Sequence, residues 1–271
     1  MHSVFFLSNR TAITAETLGH SLLAQFEGVE YREFTIPYVD SREKAASVVE
    51  QIDRAADQDG RRPIVFSTLA DPEMRSLVVN SKGLTLDLFH AFLNSLELEL
   101  EAKPLEREER SHRLTDAQKY ESRMDAINFS LLHDDGAYTK QYDRSDLILV
   151  GVSRSGKTPT CLYLAIQFGI RAANYPITED DLGQGALPRM LRPYVAKLYG
   201  LTTTPQRLHG VRTARRPNSR YASLEQCAYE IRAVEDLYHA KSIPFLNTTT
   251  RSVEEIATRI VQETGLQRHA Y

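Results

Sequence analysis

The chain has 271 residues, of which 42% are hydrophobic and 25% are charged. This composition is typical of a folded globular protein and excludes the fibrous, collagen-like and disordered classes. The formal net charge of −3 provides no overall attraction to nucleic acid or to an anionic membrane, so neither is expected as a partner.

Cysteine content and hydropathy indicate the cellular setting. Cys161 and Cys227 are too few for a disulfide framework, and they form no zinc-type cluster with histidine. The apolar run at 4–7 is too short for the core of a signal peptide. No segment approaches the ~20 consecutive apolar residues that cross a bilayer. We therefore expect a cytoplasmic protein with no membrane-embedded part.

The first third of the chain alternates strand-like and helix-like patterns, as βαβ units do. Asp71-Pro72-Glu73 has the polar cap, the proline and the early acid that open a helix. The predicted strands cover 4–7, 31–39 and 63–69, and the predicted helices cover 14–26, 41–56, 74–79 and 84–100.

A segment at 101–116 is dense in charge and poor in apolar residues, which favours a solvated linker. Beyond it, a polar turn at 133–136 precedes a second series of elements, and Ser252 opens a capping box for the last helix. These later elements are predicted helices at 117–132, 158–168 and 223–240, and predicted strands at 146–150, 173–177 and 243–246.

These patterns predict an α/β protein with two domains, although one large α/β unit is the alternative at this length. Residues 1–104 form a Rossmann-like domain with a parallel sheet. Residues 105–140 form the charged linker and a connecting helix. Residues 141–271 form a nucleotide-binding α/β domain of the phosphate-loop (P-loop) kinase type.

Directly after its first predicted strand, the second domain contains Gly151-Val152-Ser153-Arg154-Ser155-Gly156-Lys157-Thr158, a full match to GxxxxGK[ST]. The glycines let the backbone turn so that successive N–H groups point at one anion, and the positive end of the following helix adds to that field. Lys157 is expected to reach the terminal phosphate and the Thr158 hydroxyl to hold Mg²⁺. All eight residues are therefore predicted to bind nucleotide.

The loop motif also has structural interpretations. A strand-to-helix turn that carries a lysine by chance is the alternative, and Arg154 is either a second cation for phosphate or an exposed loop arginine. A nucleotide hydrolase would also have an apolar strand that ends in an aspartate near the metal. The one such run ends in Asp71, which helix capping before Pro72 explains at least as well.

Several further segments, collinear over nearly the whole chain, accompany the loop. They are 11–16, His133-Asp134-Asp135-Gly136, 151–160 with 163–165, 169–176, 218–223 and 252–257. Together they resemble the bifunctional kinase and pyrophosphorylase regulators of phosphoenolpyruvate synthase and of pyruvate, phosphate dikinase, with the synthase branch most similar. The family commonly has aspartate after Ser8, where this chain has Asn9, so any role of that acid is lost or is met by another residue.

The resemblance implies an unusual reaction on a protein partner, phosphoenolpyruvate synthase. ADP donates its β-phosphate to a threonine of that enzyme, which leaves AMP and inactivates the enzyme. Inorganic phosphate then removes the threonine phosphate as pyrophosphate. ADP, inorganic phosphate and Mg²⁺ are the implied small ligands.

A threonine hydroxyl must lose its proton during such a transfer, so a nearby carboxylate is the expected base. Asp134 and Asp135 are the candidates, with Lys157 as the catalytic cation. Because neighbouring residues do not point the same way, at most one is the base, and the other is a metal or structural group. A solvated turn before Gly136 is the alternative for both.

Other polar residues have a functional and a structural interpretation that the sequence does not separate. His133 is either a phosphate or proton ligand or a histidine at a helix C-terminus. A basic stretch suits a second phosphate or forms a solvated helix face, and a polar group after the first strand binds ligand or caps a helix. The basic stretch is Arg212, Arg215, Arg216 and Arg220, and the polar group is Ser8, Arg10 and Thr11.

Two rival functions fit the loop. An ATP-dependent kinase of small metabolites has the same motif, and a nucleotide-sensing binding module would explain the missing metal-holding strand. Exposed apolar surface on the N-terminal helices would favour a homodimer.

Overall fold

A computed structural model describes residues 1–103, 115–183 and 186–267. The chain divides into two compact units, 1–111 and 112–271. Each unit is built on its own four-stranded sheet, and every strand pairs in parallel with its neighbours. The predicted α/β fold is confirmed.

The first unit has a buried strand inside its sheet, and a helix follows each of its four strands. Its strands are β1 (His2–Leu7), β2 (Tyr31–Ile36), β3 (Ile64–Ser67) and β4 (Leu84–Asp87), and its helices are α1 (Ile13–Leu23), α2 (Arg42–Asp59), α3 (Pro72–Val79) and α4 (His90–Leu100). The strand order is β2-β1-β3-β4. The apolar run that predicted β1 is buried because this strand lies inside the sheet.

The second unit repeats this strand order. Its strands are β5 (Leu147–Gly151), β6 (Ala172–Pro176), β7 (Leu198–Thr202) and β8 (Phe245–Asn247). Its helices are α5 (Thr115–Leu132), α6 (Lys157–Phe168), α7 (Glu179–Leu182), α8 (Pro205–Arg215), α9 (Leu224–Ala240) and α10 (Val253–Thr264). The strand order is β6-β5-β7-β8, with β5 inside the sheet.

Strand β5 separates two hydrophobic cores because its side chains alternate between the faces of the sheet. Ile148 and Val150 pack into a core that also contains residues of α8 and α9. Leu147 and Leu149 pack into a second core with residues of α6 and α10. Helices on both faces thus bury the strand that leads into the glycine-bearing loop.

Helix caps follow the sequence prediction closely. Asp71 accepts hydrogen bonds from the N–H groups of Glu73 and Met74, so the capping interpretation of this residue is confirmed. Ser252 and Glu255 form the predicted capping box at the start of α10.

Two strands were not predicted from sequence. The predicted helix at 84–100 is wrong over Leu84–Asp87, which pairs with β3 as strand β4. Four residues between turns are too few to show a strand period, and their apolar residues continue the pattern of α4. Strand β7 has only five residues and contains Gly200, so its sequence lacks the continuous apolar run that predicts a buried strand.

The predicted charged linker lies largely at 104–114, outside the described residues. The helix predicted after it is α5, which packs against α6 in the second unit. Within the described ranges, no helix is long and apolar enough to cross a bilayer. Helix α4 exposes Phe92, Leu98 and Leu100, and a homodimer stays a prediction.

Gly200 offers a test of the packing beneath the second sheet. A Cβ at this position would lie 2.6 Å from Cε2 of Tyr238 and 2.8 Å from Cβ of Phe245. We expect Gly200→Ala to lower the free energy of unfolding by about 1–3 kcal/mol through overpacking.

Gly210 is the matched control because a Cβ there meets no atom within 4 Å on helix α8. Gly210→Ala should raise the free energy of unfolding by roughly 0.5–1 kcal/mol, since alanine is the better helix residue. Urea denaturation followed by circular dichroism measures both changes. Equal effects of the two substitutions would contradict this account of the packing.

Candidate active site

The loop between β5 and α6 lies at the carboxyl edge of the second sheet. Strand β5 is flanked by β6 on one side and by β7 on the other, and the chain visits these neighbours in turn. The direction of winding therefore reverses at the end of β5. Open α/β sheets bind their ligands at such a point, outside the carboxyl ends of the strands.

Backbone geometry explains the glycines of this loop. A Cβ on Gly151 would lie 2.5 Å from the carbonyl oxygen of Leu201 and 2.9 Å from Oγ of Ser155. Gly156 has a φ of 94° and Arg154 a φ of 75°, both in the left-handed region. The chain therefore turns sharply before α6 begins at Lys157, where the first N–H groups of the helix have no partner within the helix.

Hydrogen bonds hold three loop carbonyls from outside the turn. The oxygen of Ser153 accepts from Arg212 at 3.2 Å, that of Ser155 from Thr248 Oγ1 at 3.3 Å, and that of Gly156 from Thr160 Oγ1 at 2.8 Å. A trans peptide places its N–H opposite its C=O. Fixing these oxygens therefore directs the next N–H groups to the other side, as an anion-binding loop requires.

Lys157 lies beneath the loop with its side chain only 3% exposed. Its ammonium donates a hydrogen bond to the carbonyl oxygen of Val152 at 3.0 Å. Burial lowers the pKa of Lys157 to about 8, and the negative charges of Asp135 and Asp134 oppose this shift. A desolvated cation at this place gains more from an incoming anion than a solvated one would.

The two adjacent aspartates lie beside the start of α6 and have different surroundings. Asp134 is half-buried and accepts hydrogen bonds from Thr158 Oγ1 at 2.8 Å and from Asn174 Nδ2 at 2.5 Å. The side chain of Asp135 is exposed, and its backbone N–H donates to Asn174 Oδ1 at 3.0 Å. The structure thus brings Asp134, Asp135 and the predicted loop together.

Asn174 is a site residue that the sequence interpretation missed. It is fully buried on β6, and its one amide group contacts both aspartates. An asparagine within a short buried strand is a detectable signal, because buried polar side chains require partners. Its partners lie about forty residues earlier in the chain, so the contact could not be read from spacing.

Two oxygen groups that suit a small divalent cation lie together at the start of α6. The Thr158 hydroxyl and the Asp134 carboxylate are in contact there, as described above. Among the residues that the structure describes, no group of three or more His, Cys, Asp or Glu side chains forms a metal site. Mg²⁺ suits such a place because it retains water and phosphate oxygens and needs few protein ligands.

The remaining histidine and arginine candidates fall into a buried group and an exposed group. His133 is fully buried, and its Nδ1 lies 2.7 Å from the carbonyl oxygen of Phe129. Arg212 is also fully buried, so the solvated helix face, one of the two interpretations of the basic stretch, is wrong for this residue. Its neighbours on that stretch, Arg215, Arg216 and Arg220, are exposed, and their binding of a second phosphate stays a prediction.

The polar residues after β1 belong to the first unit. Ser8 is buried, and its Oγ accepts a hydrogen bond from the N–H of Arg10 at 3.0 Å. Helix α1 is capped by Ala12 with no side-chain hydrogen bond. Capping of this helix by Ser8 or Thr11 is therefore wrong, and ligand binding by these residues stays a prediction.

The fold and the loop together define the class of this protein. It is an α/β protein in which a strand, a turn suited to anions and a helix follow one another at the switch point of a parallel sheet. The model of the kinase/pyrophosphorylase family matches residues 4–261, and the chain belongs to this family. The resemblance noted in the sequence is confirmed, and the family indicates a phosphotransferase of the kinase type.

Relatives from three bacteria match almost the entire chain. A protein of Marinobacter nauticus is 52% identical over 98% of both chains, and one of Hahella chejuensis is 50% identical over 98% of both. A protein of Alkalilimnicola ehrlichii is 52% identical over 99% of this chain and 98% of its own. Each carries the provisional name of phosphoenolpyruvate synthase regulatory protein.

The lowered pKa of Lys157 gives a stability test of this site. In the unfolded chain a lysine titrates near about 10.4, whereas Lys157 in the folded chain titrates at about 8. Between these values the unfolded state binds more protons, so the free energy of unfolding should rise as the pH increases above about 8. Below that pH both states are protonated and the contribution is constant.

Lys157→Met should remove this rise, and the exposed Lys241→Met should retain it. Urea denaturation of the three proteins between about pH 7 and pH 9.5 measures the difference. The same slope in the wild type and in Lys157→Met would show that Lys157 titrates as an ordinary lysine.

Proposed function

We propose that this protein regulates phosphoenolpyruvate synthase by moving a phosphoryl group onto and off one of its threonines. The names of the relatives and the family description support the target and the reaction class. The observation that carries the proposal is the buried ammonium of Lys157 beneath the anion-suited loop, with the carboxylates of Asp134 and Asp135 beside it.

In the proposed inactivation, ADP is the phosphoryl donor. The loop N–H groups hold the diphosphate, and Lys157 neutralises the charge that builds up during transfer. The bond between the bridging oxygen and the β-phosphorus breaks as a bond forms from the threonine Oγ to that phosphorus. The threonine proton passes to a carboxylate, and AMP leaves.

In the proposed reactivation, inorganic phosphate is the acceptor. One of its oxygens attacks the phosphorus of the phosphothreonine, and the bond from that phosphorus to the threonine Oγ breaks. The carboxylic acid returns a proton to Oγ, and pyrophosphate leaves. Both directions thus require one loop that holds a diphosphate, either as ADP or as the pyrophosphate being formed.

The surroundings of the two aspartates support a different role for each. Asp134 already accepts from Thr158 and Asn174, which directs it towards the start of α6. Asp135 presents an exposed carboxylate beside the same helix and can be approached by a threonine of another protein. Asp135 is therefore the base in this proposal, and Asp134 orients the Thr158 hydroxyl.

Mg²⁺ is the cation that this reaction class uses, and the oxygens of Thr158 and Asp134 fit it. When bound, it supplies positive charge to the phosphate oxygens. Asn174 holds the Asp134 carboxylate in place for this role.

The direct test incubates purified phosphoenolpyruvate synthase with this protein and ADP, and follows threonine phosphorylation by mass spectrometry. We expect one phosphothreonine and one AMP per modified chain. After ADP is replaced by phosphate, both the phosphothreonine and the inhibition of the synthase should be lost.

Lys157→Ala should abolish transfer, because the transition state loses several kcal/mol of charge stabilisation. The exposed Lys241→Ala is the matched control and should remain active.

Two results would overturn the proposal in favour of its rivals. Transfer from ATP alone to a small molecule would indicate a metabolite kinase. Tight nucleotide binding with no transfer to the synthase would indicate a nucleotide-sensing module.

Substitution of the aspartates separates their roles. Asp135→Asn should lower kcat in both directions by about 10²–10⁴ and leave the Kd for ADP nearly unchanged, since it removes the proton acceptor. Asp134→Asn should instead increase the Mg²⁺ concentration required for half-maximal activity. Steady-state kinetics over a Mg²⁺ series measures both effects, and a reversed pattern would exchange the two assignments.

A further inference from the structure

Arg212 is among the largest fully buried side chains of the protein. A buried guanidinium requires partners for its charge and its donors. Glu230 on α9 provides the charge partner, with distances of 3.1 Å from Nη1 and 2.7 Å from Nη2. Gln226 donates to Oε1 of Glu230 at 3.0 Å and holds that carboxylate in turn.

The same guanidinium contacts the loop of the candidate active site. Nη2 donates to the carbonyl oxygen of Ser153 at 3.2 Å, and Nη1 donates to that of Tyr221 at 2.9 Å. The Tyr221 ring lies against the guanidinium, 4.0 Å from its central carbon. The Tyr221 hydroxyl donates to Oγ of Ser153 at 3.0 Å. Ser153 is therefore held at its backbone by one residue and at its side chain by the other.

We propose that Arg212 and Tyr221 are positioning residues that fix the peptide between Ser153 and Arg154 in the orientation that binds phosphate. The inference rests on the proposed role of this loop as the ADP site. With the Ser153 carbonyl directed at Arg212, the N–H of Arg154 points to the opposite side of the peptide. If this peptide were reversed, an oxygen would face the phosphates where a donor is required.

Backbone strain explains why this peptide needs support. Arg154 has a φ of 75°, a region that residues other than glycine occupy at a cost. Such a conformation persists where the surrounding structure enforces it. Glu230 neutralises the charge of Arg212 without any contribution from the loop. The hydrogen bond from Arg212 to Ser153 can therefore serve to hold this peptide.

The test measures the Kd of ADP by calorimetry for wild type and for two variants. Arg212→Lys keeps the charge but cannot bind Glu230 in two places and also reach Ser153 and Tyr221. We expect it to weaken ADP binding about tenfold, as loss of a charge-assisted hydrogen bond does. Tyr221→Phe keeps the ring beneath the guanidinium and should weaken binding about threefold.

Arg232→Lys, at an exposed position on α9, is the matched control and should bind ADP as wild type does. Tyr221→Phe and Ser153→Ala remove the same hydrogen bond, so the double variant should bind ADP no more weakly than the weaker single variant. The KM for the protein substrate should stay within about twofold in all folded variants. If Arg212 and Tyr221 only stabilised the fold, their substitution would lower the Tm and leave the Kd of ADP unchanged.

An unchanged Kd in folded Arg212→Lys and Tyr221→Phe would overturn the inference. If Arg212→Lys does not fold, Tyr221→Phe and the double variant decide it alone. Wild-type protein that binds ADP but never phosphorylates the synthase would refute the proposed function, while the Kd series would still decide the positioning role. Wild-type protein that does not bind ADP would refute both.

Discussion

The orientation of a few peptide groups decides whether the loop at 151–158 presents N–H groups or carbonyl oxygens outwards. Peptide oxygens repel phosphate and peptide N–H groups attract it, so a loop of this kind binds anions only if its carbonyls are occupied elsewhere. Arg212, Thr248 and Thr160 occupy three of them. The helices and strands around the loop bring these donors to it.

The aspartate pair shows how one turn yields two different carboxylates. Their backbone conformations differ, and Asp135 has a φ of 47° in the left-handed region. One side chain is consequently engaged by Thr158 and Asn174 while the next is exposed. Two residues with identical chemistry thus acquire separate environments within one turn.

Local features of this protein could be predicted from its sequence, and contacts across the chain could not. The strand, loop and helix at 147–168, the Asp71 cap and the capping box at Ser252 depend on neighbouring residues, and the structure contains all of them. The pairing of Asp134 with Thr158 joins residues 24 positions apart, and that of Arg212 with Ser153 joins residues 59 positions apart. Such contacts depend on sheet order and helix packing, which periodicity does not specify. For this reason the sequence left two interpretations of Arg212 open and did not indicate its burial, because its partner Glu230 lies on another helix.

The tyrosine whose ring lies against Gly200 also affects the medium beneath the loop at 151–158. The hydroxyl of Tyr238 lies within hydrogen-bonding distance of the carbonyl oxygens of Val150, at 2.9 Å, and Leu201, at 3.3 Å, where β5 and β7 end. One phenol proton is thus shared between two carbonyl oxygens, and Tyr238, Val150 and Leu201 are all fully buried. Such a buried region has a low dielectric constant, so the charge of the Lys157 ammonium, itself buried, is weakly screened on this side.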